Sequence, residues 1–280
     1  MPETPEYPHS TVPKAPHPII KLSAPEHHAF WKLPVLFEQD GLLALEKPSH
    51  LLVSPEKQRA DDPVLTKCLQ QDVSKGAKWA QERGYSFIDL LYSIDFEATG
   101  VVLFATNKSA FTEFKNHIGS RQMAFTFLVL VHGHPPEDEF SAELKVAPHP
   151  AREWMMRVHR TKGKQSITDC TVLERFRTCS LVECRTQMLR PHQARVHLQF
   201  AGFPVVGDAL YGGELLLLSQ LKRKYRSKKA SPEKPLIDRA AVHLATLQFK
   251  HPTADKEYRI ESELPKDFAV TLKFLRQFSL

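Results

Sequence analysis

Two strongly β-prone segments with almost nothing between them constrain this chain more than any other feature. Residues 167–176 and 179–187 are rich in β-branched, aromatic and cysteine side chains, and only Arg177-Thr178 separates them. A connection of two residues joins neighbouring strands antiparallel, because parallel strands need a crossover of about a dozen residues or more. Residues 240–250 and 257–262 form a second such pair around His251-Pro252. The sequence therefore predicts hairpins and a mostly antiparallel sheet.

Further strands and three helices follow from the spacing of apolar residues. We expect the additional strands at 35–41, 42–47, 100–105 and 124–131, and the helices at 61–83, 107–119 and 191–201. Asn107 is a suitable N-cap for the second helix, and Pro191 suits the first turn of the third. Because strands outnumber helices and recur as hairpins, we expect an α+β fold with a mixed, mostly antiparallel sheet flanked by helices.

The composition is that of an ordinary globular protein with a mild positive charge. Apolar residues make up 42% of the 280 and charged residues 25%, and the formal net charge is +6. This charge favours a polyanionic partner. No apolar run approaches the ~20 residues that span a membrane, and the N-terminus lacks the basic start and apolar stretch of a secretory signal. The four cysteines form no CxxC pair, which favours reduced thiols in the cytoplasm.

Two segments differ in composition from the rest of the chain. The first 25 residues contain seven prolines, which disfavour helices and paired strands and favour an extended backbone. We expect regular structure from about Leu33, which divides the chain into a proline-rich arm (1–32) and one main domain (33–280). Residues 222–229 contain six basic side chains in eight. They form either a solvated loop or helix end, or a surface that faces RNA.

One carboxylate and a distant basic cluster are the candidates for chemistry. Asp95 lies in a turn between two apolar runs, and the cluster at 190–197 follows far along the chain. An aspartate held by an arginine stays ionised and can act as nucleophile or base. The alternatives are a backbone-capping role for Asp95 and a structural ion pair for Arg195. His192 and His197 are five residues apart and point from different faces of a helix, so we expect no shared metal.

Four blocks make the chain resemble the RluA-type pseudouridine synthases across residues 35–262. The blocks are Leu43–Pro55 with Lys47-Pro48, Ile94–Ala105 with Asp95 and Thr99-Gly100, Phe125–Gly133 with Phe127, and Arg190–Leu198 followed by Gly202–Gly212. The last block is the most specific, because more than a dozen of its positions agree with the family at fixed spacing. The resemblance implies a pseudouridine-synthase-like fold over the main domain.

The resemblance also implies a reaction and a set of site residues. A uridine of rRNA or tRNA is flipped out of its stack and isomerised to pseudouridine, without a metal or organic cofactor. Asp95 matches the essential aspartate of the family, and Arg195 matches its basic partner. The substrate-binding candidates are Phe127, at the position that stacks on the base, and His192, Gln193, Arg190 and Lys47. We further expect a monomer, and an N-terminal arm too short for an S4-like RNA-binding domain.

The chain departs from the family at several of these positions. The departures are Tyr92-Ser93 for His-Arg, Phe125 for lysine, Phe127 for tyrosine and Pro191 for threonine. In the family the missing arginine fills the gap left by the flipped base, and Arg59 or Arg121 are candidates to replace it. Without the resemblance, Phe127 reads as a core aromatic of a strand. Two other functions remain open: a catalytically impaired RNA-binding relative of the same fold, and an enzyme that acts on a small nucleoside or nucleotide.

Overall fold

The structure, a computed structural model, describes residues 17–152, 154–222, 225 and 232–278. Twelve strands in these ranges join one sheet. Their bounds are β1 Ile19–Ala24, β2 Ala29–Gln39, β3 Leu42–Lys47, β4 Asp89–Leu90, β5 Thr99–Ala105, β6 Met123–His132, β7 Glu139–Pro148, β8 Met156–His159, β9 Lys164–Arg175, β10 Cys179–Thr186, β11 Val242–Lys250 and β12 Glu257–Glu261. The first half of the expected arm and most of the basic segment at 222–229 lie outside the described residues.

Helices cover the sheet and link its strands. The α-helices are α1 Leu65–Ser74, α2 Lys78–Gln81, α3 Lys108–Gly119, α4 Gln193–Phe200, α5 Leu218–Leu221 and α6 Lys266–Phe278. The expected N-cap of α3 is confirmed, because the Asn107 side chain accepts a hydrogen bond from the Ala110 amide at 2.8 Å. Among the described helices, none is both long enough and apolar enough to cross a membrane.

Neighbouring strands of the described sheet run antiparallel at all but one place. Their order is β1-β2-β3-β5-β11-β6-β10-β9-β7-β8, with β4 beside β5 and β12 beside β11. The exception is the parallel pair of β5 and β11, in which His243 lies opposite Thr99. The structure therefore confirms the expected α+β class and its mixed, mostly antiparallel sheet.

The middle of the sheet is buried on both faces, which places a rigid core directly behind the Asp95 turn. All residues of β5 are buried, as the continuous apolar run that follows Gly100 indicates. Gly100 has a positive φ of 116°, and a Cβ atom there would collide with the carbonyl oxygen of Leu244 in β11. Only glycine therefore allows β5 and β11 to pair immediately after the turn.

Both expected hairpins are confirmed as β9–β10 and β11–β12. The expectation that regular structure begins near Leu33 is wrong, because β1 starts at Ile19. Ile20 and Leu22 of β1 are fully buried in the core, and Ile20 pairs with Leu33 of β2. The second half of the expected arm is thus an edge of the sheet.

Two helix boundaries also differ from expectation. The helix expected at 61–83 is two helices, α1 and α2, because the chain passes through Gly76 in the left-handed region with φ of 66°. The helix expected at 191–201 begins only at Gln193, since His192 itself has a left-handed backbone with φ of 55°. Strands β7 and β8 and helix α6 were not expected from the sequence.

Candidate active site

Asp95 lies in the turn between β4 and β5, and a buried lysine holds that turn. The ammonium of Lys47 donates to the carbonyl oxygens of Pro48, Phe96 and Ala98 at 2.8, 3.0 and 2.7 Å. Burial lowers the pKa of Lys47 to about 7, and the nearby charge of Asp95 opposes this shift. All three donors are used inside the protein and the side chain is fully buried. Lys47 thus holds the backbone of the Asp95 turn, and its expected role in substrate binding stays a prediction.

The start of helix α4 brings the basic cluster to Asp95. His192 precedes the helix, and its amide N–H donates to Asp95 Oδ1 at 3.2 Å. From the first turn of α4, Arg195 Nη1 donates to Asp95 Oδ2, also at 3.2 Å. The expected contact between Asp95 and Arg195 is therefore present in the structure.

A second carboxylate, Asp208, fixes the guanidinium of Arg195. Arg195 Nε and Nη2 donate to Asp208 Oδ2 and Oδ1, both at 2.7 Å, and Asp208 is fully buried. A two-point contact of this kind is short, strong and fixes the plane of the guanidinium. The sequence analysis did not single out Asp208. The signal that could have linked it to Arg195 is its place in the segment Gly202–Gly212, which belongs to the same block of family resemblance.

The surroundings of Asp95 keep its carboxyl group ionised although it is mostly buried. Burial acts to raise the pKa of Asp95. The charge of Arg195 and the hydrogen bonds that Arg195 and the His192 amide donate outweigh burial and hold this pKa below its ordinary value, and a charge on the His192 ring acts in the same direction whenever that ring is protonated. An ionised carboxylate at neutral pH is the form that can attack carbon or accept a proton.

Tyr211 sets the form of the His192 ring. The Tyr211 hydroxyl lies 2.6 Å from His192 Nδ1 and accepts a hydrogen bond from the Met156 amide at 2.8 Å. Its own proton is therefore available for Nδ1, and a neutral imidazole that accepts this proton carries its own on Nε2. Burial lowers the pKa of His192 and raises the pKa of Tyr211 to about 12. Both shifts favour a neutral imidazole that accepts from a neutral phenol.

Asp95 and Arg195 share a small, mostly apolar pocket with Phe127. Phe127 lies on β6 opposite Cys184 of β10 and is 8% exposed. The pocket has a volume of about 30 Å³, which is room for about two water molecules. A pyrimidine ring therefore enters only if lining side chains move. Phe127 is buried in the core and also lines this pocket. Its position is therefore compatible with both interpretations from the sequence, a core aromatic of a strand and a ring beside the substrate base.

Arg190 and Gln193 line the same pocket, but their polar groups are used differently. Gln193 Nε2 donates to Ile167 O at 3.0 Å and to the hydroxyls of Thr168 and Thr186, and Oε1 accepts from the Arg190 amide at 3.1 Å. Both ends of the Gln193 amide thus order the start of α4. Arg190 Nε, by contrast, is buried without a hydrogen-bond partner among the described residues, so it is available to a ligand.

An open groove of about 520 Å³ adjoins the pocket, and Arg195 lines both. Ser93 lies at the pocket, with its hydroxyl 3.3 Å from Ser54 Oγ. Of the two arginines considered as replacements for the family arginine at this position, Arg59 lines the groove. Arg121 lies in the turn between α3 and β6. In the described part of the chain, no group of three or more His, Cys, Asp or Glu side chains is arranged to hold a metal ion.

Comparison with known proteins assigns this arrangement to a family. Residues 41–200, more than half of the chain, match the RNA pseudouridylate synthase family. The chain belongs to this family. It is similar to a ribosomal large subunit pseudouridine synthase D of Xanthomonas campestris pv. campestris, with 29% identity over 262 residues, covering 93% of this chain and 75% of that relative. It is also similar to an uncharacterized RNA pseudouridine synthase of Bacillus subtilis, with 26% identity, covering 88% of this chain and 73% of the relative.

The fold of this RNA pseudouridylate synthase matches a solved member. The structure of human RNA Pseudouridylate Synthase Domain Containing 4 aligns with a TM-score of 0.66 and 21% identity, over 86% of this chain and 92% of the human chain. The expected pseudouridine-synthase-like fold, the RluA-type family and the enzyme class, an RNA pseudouridine synthase, are confirmed.

Proposed function

We propose that this synthase isomerises uridine to pseudouridine in ribosomal or transfer RNA, with Asp95 as the reacting carboxylate. One observation carries the proposal: an ionised Asp95 is held between the His192 amide and Arg195 at the edge of the Phe127 pocket. The relative named for the large ribosomal subunit supports ribosomal RNA as the first substrate to test. A cytoplasmic monomer that needs no metal stays a prediction.

The reaction makes two demands that a carboxylate meets. The bond between N1 of the uracil and C1′ of the ribose breaks, and a bond between C5 and C1′ forms. C5 loses its proton in this exchange, and N1 ends with a proton. Asp95 can attack the electron-poor C1′ or take the proton from C5. Atoms and charge balance within the nucleotide, so the step needs no added oxidant, reductant or second substrate.

The pocket supplies the contacts that a flipped uracil loses in RNA. Extruding a base from its stack costs a few kcal/mol, and stacking on an aromatic side chain contributes about 1–3 kcal/mol. Phe127 offers such a ring next to Asp95. The unpartnered Nε–H of Arg190 is a donor for a uracil carbonyl. Because the pocket is smaller than a pyrimidine, we propose that the lining side chains move as the base enters.

A basic hairpin next to the site is the proposed contact for the RNA backbone. Residues 145–164, called the basic hairpin below, contain six Lys or Arg and one acidic residue. Its exposed basic side chains are Arg152, Arg160, Lys162 and Lys164. The Met156 amide within it donates to the Tyr211 hydroxyl, which ties it to the site. Positive charge there attracts phosphates and makes binding weaken with salt. Sequence reasoning looked for this surface at 222–229 instead.

The test is release of tritium from [5-³H]uridine in unmodified ribosomal and transfer RNA transcripts, since the C5–H bond breaks in the reaction. Asp95→Asn should abolish release but leave RNA affinity within a few-fold, because the shape barely changes. Asp255→Asn is the matched control, since Asp255 is exposed in the β11–β12 turn. Wild-type protein that binds RNA without releasing tritium would favour a catalytically impaired relative. Tritium release by Asp95→Asn at the wild-type rate would refute the role of Asp95.

A further inference from the structure

The groove beside Asp95 carries a surplus of negative charge. Its acidic lining residues are Glu56, Asp61, Asp62 and Glu97. Arg59 and Arg195 are the arginines of the lining, and Arg195 is already paired with Asp208 and Asp95. Phosphate groups are repelled by such a surface, whereas the faces and amino edges of nucleobases are not. The groove therefore suits bases, with the RNA phosphates lying along the basic hairpin.

One wall of the groove is a flat pair formed by Arg59 and Phe96, called the Arg59–Phe96 platform below. The guanidinium carbon of Arg59 lies 3.7 Å from the centre of the Phe96 ring, well within the range of a cation–π contact. Asp62 holds the guanidinium through Nη1 at 3.0 Å, and His50 packs edge-on against the ring with centres 5.3 Å apart. The Arg59 side chain is 38% exposed, and both residues of the platform line the groove.

The platform is fixed to Asp95 through the backbone. Phe96 follows Asp95 directly, and its carbonyl oxygen accepts hydrogen bonds from the Lys47 ammonium at 3.0 Å and from the His50 amide at 2.9 Å. These bonds restrain the backbone that carries both the carboxylate and the ring. With one uridine at Asp95, the base beside it in the RNA strand is therefore the one that we expect at the platform.

We propose that the Arg59–Phe96 platform stacks on the nucleobase adjacent to the target uridine. This inference rests on the proposed function, because it requires a uridine at Asp95. Guanidinium and aromatic planes stack on any base, since every base has a π-face. The contact steadies the strand after the target base has left its stack. Ser93, at the edge of the pocket, offers no such plane.

Short single-stranded RNAs that contain one uridine next to one 2-aminopurine test the platform. The 2-aminopurine is placed on the 5′ side of the uridine in one RNA and on the 3′ side in the other, because its fluorescence falls when it stacks. Companion RNAs carry an abasic site instead. Arg59→Lys keeps the charge and removes the plane, and Phe96→Leu keeps the apolar bulk and removes the ring. Arg259→Lys is the matched control, an exposed arginine paired with Glu261 at 2.6 Å.

We expect wild-type protein to quench one of the two 2-aminopurine RNAs. Arg59→Lys should weaken binding of that RNA about five- to 150-fold, the range for loss of one base stack, and should restore its fluorescence. Phe96→Leu should act in the same direction and Arg259→Lys should not. The abasic RNAs should bind wild-type protein and Arg59→Lys equally. In turnover assays Arg59→Lys should raise KM and leave kcat within about threefold, because the platform does not touch the reacting atoms.

Two results would overturn the platform. The first is equal weakening of the abasic and 2-aminopurine RNAs by Arg59→Lys, which means that Arg59 acts through charge or folding. The second is unquenched fluorescence of both 2-aminopurine RNAs with wild-type protein. Failure of the proposed function looks different: wild-type protein quenches the fluorescence as expected but forms no pseudouridine in any RNA. The binding assay separates these cases because it does not depend on turnover.

Discussion

Replacing Asp208 with asparagine should destabilise the protein before it affects the chemistry. Asp208 is fully buried and accepts two hydrogen bonds from Arg195 at 2.7 Å. An asparagine keeps one acceptor but turns its NH₂ group toward a guanidinium N–H, so two buried donors lose their partners. Removing one partner of a buried ion pair typically lowers the free energy of unfolding by about 3–5 kcal/mol. We predict a loss of this size for Asp208→Asn.

Asp95→Asn is the matched comparison, because it also removes a negative charge from Arg195. The Asp95 side chain is 18% exposed and receives a single contact from Arg195 at 3.2 Å. Loss of one longer, partly exposed contact should lower the free energy of unfolding by only about 1–2 kcal/mol. Asp95→Asn is therefore an inactive but nearly native protein, and Asp208→Asn a strongly destabilised one.

Urea unfolding followed by tryptophan fluorescence measures both stabilities, and tritium release at low temperature measures the activity of the fraction that stays folded. The reasoning is refuted if the two substitutions lower the free energy of unfolding equally, because Arg195 donates two short hydrogen bonds to Asp208 and one longer bond to Asp95. Wild-type stability and activity in Asp208→Asn would show that Arg195 needs no second partner.

Two further perturbations test the RNA surface and the response to acid. Glutamine at both Arg160 and Lys162 should reduce the slope of log affinity against log salt by about 1.4, for two lost phosphate contacts to a single strand. Glutamines at two other exposed lysines, Lys67 in α1 and Lys75 directly after it, are the control. An unchanged slope in the Arg160 and Lys162 variant would place the phosphates elsewhere. Burial lowers the pKa of His243 from 6.5 to about 4. Below pH 6.5 the unfolded chain therefore binds a proton at this residue that the folded chain does not. The free energy of unfolding then falls by up to about 3 kcal/mol as the pH approaches 4. His243→Gln should flatten this loss in urea unfolding curves between pH 7 and 4, whereas parallel pH curves would contradict the neutral buried ring.

The sequence predicts elements well where the signal is local. The two-residue connection at Arg177-Thr178 permits only an antiparallel pair, and β9 and β10 form it. The Asn107 cap depends only on residues of the next turn, and it is present. Such features do not depend on which parts of the chain pack against them, so they can be predicted from the local sequence.

Strand β1 shows where composition misleads. The prolines of the first 25 residues suggested an extended arm, but Pro18 and Pro25 flank β1 rather than interrupt it. The residues between them alternate exposed and buried, beginning with exposed Ile19 and buried Ile20. That alternation is the period of a half-buried strand. When only the residues between Pro18 and Pro25 are considered, the sequence favours a strand, although the number of prolines in the first 25 residues argued against one.

At the candidate site, too, the sequence predicted some contacts and missed others. The contact of Asp95 with Arg195 was expected from the family resemblance, but the hydrogen bonds that Lys47 and Gln193 make inside the protein were not. The side-chain donors of both residues make hydrogen bonds to backbone carbonyl or hydroxyl oxygens inside the protein. A motif records that a residue matters near a site, but it does not distinguish contact with substrate from support of the loop that makes contact. Only the packing of β3 and α4 against the turn settles this.

The unequal sharing of Arg195 explains how Asp95 stays ionised and still available. Asp208 takes two guanidinium donors at 2.7 Å, and Asp95 receives one at 3.2 Å. A short two-point contact from Arg195 to Asp95 would lower the basicity of this carboxylate further. With Asp208 bearing most of the charge compensation, Arg195 and the His192 amide hold the Asp95 pKa below its ordinary value through single, longer bonds. Each Asp95 oxygen therefore keeps a lone pair that no described protein group uses, and the role that we propose for Asp95 as nucleophile or base would use these electrons.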